Sequence, residues 1–135
     1  MQATPPRARE IALLTNPSAG KGRGARHRDL ALPRLRQAGF AVRDLVGRDA
    51  EEALALARAS VADGVDGLVV CGGDGMVHIA IQALAGTAVP LGVIPSGTGN
   101  DVARSLGVPR RDPVAAADRV IASRTRSMDL ARSGD

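Results

Sequence analysis

One stretch limits what this chain can become more than any other. Gly67-Leu68-Val69-Val70-Cys71 runs without a polar residue into Gly72-Gly73-Asp74-Gly75, and from Met76 to Leu84 the apolar residues return at helical spacing. An unbroken apolar run suits a strand buried on both faces of a parallel sheet. The stretch therefore reads as strand, tight glycine loop, helix. Glycines let the main chain turn sharply and let a ligand approach it closely. The first N–H groups of the following helix then face the gap and favour an anion. Asp74 is the only charge in the loop, and a carboxylate repels a bare phosphate. It is expected to meet a metal, a hydroxyl or backbone N–H groups. A simpler reading makes the loop a tight turn with Asp74 as helix cap.

A second segment repeats the theme. Pro90-Leu91-Gly92-Val93-Ile94-Pro95 is another apolar run, followed by Ser96-Gly97-Thr98-Gly99-Asn100-Asp101 and a short helical pattern from Val102 to Leu106. In an open parallel sheet the loops at the carboxyl ends of the strands share one edge and form the ligand crevice. Two successive glycine-rich loops carrying Asp74, Thr98, Asn100 and Asp101 point to such a crevice. Thr98 or Asn100 has the alternative role of capping the next helix.

The rest of the chain alternates in the same way. Ile11 to Leu14 is the expected first strand, and Thr15 to Gly24 a long polar turn. A helix from Ala25 places Leu30, Leu32, Leu35 and Ala38 near one face, with Pro33 arguing for a break or kink and Gly39 for its end. Phe40 to Val46 is the second strand. Asp49 and Glu52 form a capping box for a helix with the apolar stripe Ala53, Leu54, Leu56, Ala57 and Val61, stopped at Gly64. Asp112 and Pro113 open another helix through Ile121, and Thr125 to Leu130 is a last extended segment. This alternation is that of a three-layer α/β/α domain with a mostly parallel sheet.

Composition excludes several classes. No stretch of the 135 residues approaches the roughly 20 apolar residues of a membrane span. Met1 to Glu10 lacks the apolar centre of a secretory signal and reads as a loose tail, so the cytoplasm is the expected compartment. Cys71 is the single cysteine, so no intrachain disulfide can form, and it reads as a small core residue. The net charge is +4, and Lys21 is the sole lysine among 18 cationic residues. That balance suits phosphates or an anionic membrane surface. Nucleic acid is disfavoured, because Phe40 is the only aromatic and bases have no rings to stack on.

Gly20-Lys21-Gly22-Arg23-Gly24-Ala25 fits G-x-G-x-x-G/A, and Asp44 follows about twenty residues on, as in a dinucleotide-binding fingerprint. Asn16-Pro17-Ser18 separates the strand from the first glycine, however, and Pro33 spoils a regular helix. No G-x-x-x-x-G-K-[ST] is present. Lys21, Arg23, Arg26 and Arg28 are either a solvated basic face or a cationic flap over phosphates.

Taken together, Asn16-Pro17-Ser18-Ala19-Gly20, Gly72-Gly73-Asp74-Gly75 and Pro95-Ser96-Gly97-Thr98-Gly99-Asn100-Asp101 resemble, in order and spacing, the diacylglycerol kinase catalytic domain. That family includes bacterial diacylglycerol kinases and sphingosine and ceramide kinases, with NAD kinases and phosphofructokinases as more distant likenesses. The resemblance spans nearly all of residues 10–130, after a tail at 1–9. It implies an ATP-dependent, Mg²⁺-assisted kinase acting on a lipid hydroxyl of the diacylglycerol kind, at the cytoplasmic side of a membrane surface. It also implies residue roles. Asn16, Pro17, Ser18, Ala19, Gly20 and Lys21 would contact the nucleotide phosphates and ribose. Gly72, Gly73, Asp74, Gly75, Met76 and His78 would form the floor, with Asp74 near Mg²⁺. Gly97, Thr98, Asn100 and Asp101 would complete the wall.

The departures are specific. Met76 stands where the family usually has threonine, His78-Ile79 where Asn-Glu is frequent, and Gly47 where members can carry a threonine near the nucleotide. His78 is either a plain helix residue or a nucleotide contact. Family enzymes continue past a segment like Arg126 to Arg132 into a β-rich domain holding the lipid site and the general base. Residues 131–135 would begin that domain. The expectation is a nucleotide-binding half with little or no lipid turnover of its own. Its exposed docking face is expected to favour a homodimer. Two alternatives stand beside it: a non-catalytic nucleotide-binding module and, more weakly, an NAD-binding oxidoreductase domain.

Overall fold

The computed structural model describes residues 9–17, 22–96 and 112–122. Four strands form one parallel sheet: β1 (Glu10–Thr15), β2 (Ala41–Val46), β3 (Gly67–Gly72) and β4 (Leu91–Pro95), in the order β2-β1-β3-β4. The helices are α1 (Arg23–Gln37), α2 (Ala50–Ala62), α3 (Asp74–Leu84) and α4 (residues 113–122).

Strand residues alternate between the two faces of the sheet, as the pleat requires. Ala12, Leu14, Leu68, Val70 and Val93 pack under α2 and α3. Ile11, Leu13, Val69, Cys71 and Ile94 pack under α1 and α4. β3 is buried along its whole length, so its continuous apolar run has core on either side. This is the expected three-layer α/β/α domain with a parallel sheet.

The helix ends follow local chemistry. At the C-terminus of α1, Gly39 takes φ +97°. Its N–H reaches Arg36 O, and Phe40 N–H reaches Leu35 O, which is a Schellman closure. Phe40 and Leu35 both enter the core behind it. Gly64, at φ +89°, ends α2 in the same manner.

Three local expectations need correction. Pro33 lies inside a continuous α1 rather than breaking it. The carbonyl it leaves without a donor belongs to Asp29 on an exposed face, where water can take that bond. Leu30, expected on one face with Leu35, is 55% exposed; Leu35 is buried against the sheet as expected, and Ala31 packs beside it. In the capping box Asp49 accepts from Glu52 N–H at 2.8 Å as expected. Glu52, however, reaches past Asp49 to the N–H and guanidinium of Arg48. Those bonds hold its carboxyl below the ordinary carboxylate range.

All of the expected tail at residues 1–9 except Arg9, the helix at 102–106 and the extended segment at 125–130 lie outside the described residues. Among the described residues no helix is long and apolar enough to cross a membrane.

Candidate functional site

The strand order places the site. From β1 the chain moves to one side to make β2, then returns past β1 to make β3 and β4. The direction reverses between β1 and β3, and a crevice opens at the carboxyl ends of the strands flanking such a reversal. Thr15 pairs with Cys71, and Gly72 pairs with Pro95. Ser96 N–H donates to Gly72 O at 3.1 Å. Asn16, Gly72 and Ser96 therefore meet at one rim, and the starts of the two glycine-rich loops are adjacent, as the sequence suggests.

The helix starts differ in a way that marks the same place. α2 is closed by Asp49, and α4 by Asp112, whose carboxylate accepts from Val114 and Ala115 N–H. α1 and α3, the helices leaving β1 and β3, start at Gly22 and Gly73, and neither has a side-chain cap. Asp74 is the first residue of α3, not its cap. The first turn of α1 contains no acidic residue. Two helix starts without an N-cap side chain, each a positive dipole end, thus flank the reversal point.

The glycines at the rim separate into those the fold needs and one it does not. A Cβ at Gly72 would sit 2.6 Å from Met76 Cγ. Met76 is 5% exposed and belongs to the core, so its side chain packs beneath the loop. Gly47 has still less room: a Cβ there would lie 2.7 Å from both Cα and Cβ of Ala53. The family's threonine cannot occupy this position while α2 lies where it does. Gly75 is exposed, in the first turn of α3, and a Cβ there would meet nothing within 4 Å.

His78 is exposed on α3, one turn beyond Asp74 and on the same side of the helix. Asn16 and Pro17 are half-buried at the end of β1. Ser18, Ala19, Gly20, Lys21, Gly97, Thr98, Asn100 and Asp101 lie outside the described residues. Among the described residues no group of three or more His, Cys, Asp and Glu side chains could hold a metal ion.

The basic set near α1 is smaller than its sequence suggests. Arg28 is bonded to Asp44 of β2 and to Asp29 at 2.9 Å, which commits it to the fold. Asp44 lies within β2, opposite Leu13, with its carboxylate on that arginine. It is therefore not offered to a ribose, as a dinucleotide-binding site would require. Arg23 is half-buried and Arg26 exposed near the start of α1.

Sequence reasoning missed three groups. Thr15 Oγ1 and Ser96 Oγ are buried at the tips of β1 and β4 without a hydrogen-bond partner among the described residues, and buried hydroxyls rarely go unpaired. Their signal was a hydroxyl residue directly after an apolar run. The third is His27, whose Nδ1 lies 2.9 Å from Pro95 O. Nothing in local spacing announces a contact 68 residues away.

Cys71 is a core thiol, as read from the sequence. Its Sγ lies 3.5 Å from Gly24 O. Burial pushes the thiol up to about 12 from 9.0, with the Arg28 charge opposing. The folded chain should therefore resist iodoacetamide at pH 8, whereas the chain in denaturant should alkylate fully. Rapid labelling of folded protein would show that β3 opens. The linkage has a definite sign. Between about pH 9 and pH 12 the unfolded thiol loses its proton first, so this group's contribution to stability is intact below 9 and falls as pH rises through that window.

The comparisons agree with this geometry. The family model described as the diacylglycerol kinase catalytic domain matches residues 10–133. A diacylglycerol kinase of Mycobacterium tuberculosis is 47% identical over 126 residues, covering 93% of this chain and 41% of that protein. One from Bacillus subtilis is 34% identical, covering 87% of this chain and 40% of that protein. A crystal structure of a diacylglycerol kinase from Bacillus anthracis superposes with a TM-score of 0.74 at 30% identity, over 88% of this chain and 44% of that one. The chain thus spans about two fifths of the length of the relatives it matches. With the match over residues 10–133 and the switch-point rim built from the same glycine segments, the chain belongs to the diacylglycerol kinase catalytic domain family.

Proposed function

We propose that this chain binds ATP at the rim between β1 and β3 as the nucleotide half of a lipid kinase. The γ-phosphate would go to a lipid hydroxyl of the diacylglycerol kind, at a membrane surface, with the lipid-binding part supplied beyond these residues. Membership of a kinase family implies ATP use and a phosphate acceptor. Phosphoryl transfer needs positioning and charge neutralisation more than covalent participation by the protein. The uncapped amides of α1 and α3 suit the phosphates, and Arg23 and Arg26 add cationic charge nearby. Mg²⁺ usually takes one or two carboxylates plus substrate phosphates. Asp74 fits as such a carboxylate, and the bound ion would neutralise phosphate charge.

The observation that carries this reading is Gly75. Its backbone angle is not one that needs glycine, and a side chain there would enter open space. Alanine is the better residue in a helix by up to about 1 kcal/mol. No described residue accounts for glycine at this point, whereas a ligand that approaches the first turn of α3 does. Gly75→Ala should therefore leave the unliganded protein as stable as before, or slightly more so. Its affinity for Mg-ATP should fall at least about tenfold, the effect of losing roughly 1.4 kcal/mol of contact. Calorimetric titration together with thermal unfolding checks both halves. Unchanged ATP affinity in Gly75→Ala, or equal binding of NAD and Mg-ATP by the original chain, would refute the proposal.

A further inference from the structure

The contact between His27 and Pro95 is half-buried and lies outside the two hydrophobic clusters of the core. His27 stands on α1, in the turn following its uncapped start, and Pro95 ends β4 directly before Ser96. A carbonyl only accepts hydrogen bonds, so at 2.9 Å the imidazole Nδ1 must carry the proton and donate. The bond joins two elements that the sheet does not connect. β1, which leads into α1, pairs with β3, and only β3 pairs with β4.

A second contact lies close by. Gly24 O, in the first turn of α1, receives Cys71 Sγ from the end of β3. The start of α1 is thus attached to the tips of β3 and β4 by separate side-chain contacts. Two buried hydroxyls share this region. Thr15 pairs with Cys71 and lies on the same face of β1 as Ile11 and Leu13, which pack under α1. Ser96 follows Pro95 directly and is 3% exposed. Neither has a hydrogen-bond partner among the described residues.

We infer that His27 is a positioning residue for the nucleotide. By donating to Pro95 O it fixes the distance between the amides opening α1 and the β4 tip that carries Ser96, so that both sides of the crevice meet the same phosphate chain. This rests on the nucleotide reading proposed above. His27 itself need not touch the ligand.

The test uses the whole 135-residue chain. His27→Asn keeps a donor N–H near the position of Nδ1, whereas His27→Leu keeps bulk and removes the donor. Mg-ATP affinity is expected to fall about tenfold in His27→Leu, the worth of about one hydrogen bond. It should stay within about threefold of the original in His27→Asn, with the two variants unfolding within a few degrees of each other without ligand. The imidazole ¹⁵N shifts of the original chain should report the Nδ1–H tautomer. Full ATP affinity in folded His27→Leu, no rescue by asparagine, or the Nε2–H tautomer would overturn the positioning role while leaving the nucleotide reading intact. If the original chain binds no Mg-ATP, the nucleotide reading fails, and the positioning role falls with it.

Discussion

Threonine at position 47 is expected to destabilise the protein by about 3 kcal/mol or more, enough to unfold much of a domain of ordinary stability. The cause is backbone, not side chain. The added Cβ would lie 2.7 Å from Ala53 Cα and 2.9 Å from Ala53 N, and no rotamer change relieves a clash with main-chain atoms. Relief would require α2 to lift from the sheet. That would pull Ala53 and Ala57 from the cluster they share with Ala12, Leu14, Val70 and α3. It would also strain the bond from Gly47 N–H to Thr15 O, 2.9 Å long at the tip of β1. Urea unfolding monitored by circular dichroism measures the loss. A Gly47→Thr protein of unchanged midpoint would mean that α2 moves freely. Gly72→Ala provides the contrast, since its close neighbour is the Met76 side chain at 2.6 Å, with flexible torsions to give way. Its expected cost is smaller, about 1 kcal/mol.

Removal of the Asp74 carboxylate is expected to have the largest effect on binding. If Mg-ATP binds as proposed, at about a hundred times its Kd it stabilises the folded chain by about 2.7 kcal/mol. That is a rise in Tm of roughly 10 °C for a chain of this size. Asp74→Ala should erase most of this rise. The sign of the metal-free control tells the mechanism apart. A carboxylate beside phosphates repels them unless a cation lies between. With chelator present, Asp74→Ala should bind ATP as well as the original chain or better. Loss of binding with and without Mg²⁺ would instead mean that Asp74 acts by shaping the start of α3, where it is the first residue. A full Mg-ATP shift in the variant would remove Asp74 from the site.

The two predictions separate roles that three glycine positions hide from a reader of the sequence. Gly47, Gly72 and Gly75 all follow or flank strand ends in polar surroundings. Only atoms from other elements show that Gly47 is needed by Ala53, Gly72 by Met76, and Gly75 by nothing among the described residues. The same applies to the substitution of methionine for the family's threonine. Met76 pairs with Gly72 as a packing unit of the floor, and it is 5% exposed there.

The sequence by itself determined the layer architecture, because periodicity is a local property of the chain. A buried parallel strand such as Gly67–Gly72 reads as an apolar run, and amphipathic helices between strands allow few arrangements. The glycine that ends α1, the Asp49 cap of α2 and the Asp112–Pro113 start of α4 were also legible, since each closes bonds within a few residues. Only the tertiary structure decided which strands are neighbours, and hence that the direction reverses between β1 and β3. It also turned Leu30 outward and committed Arg28 to Asp44, and it brought His27 to Pro95 and left the Thr15 and Ser96 hydroxyls buried at one rim. These depend on contacts between residues far apart in the chain, whose free energies are set by burial and close approach in the folded state and leave no periodic trace in the sequence.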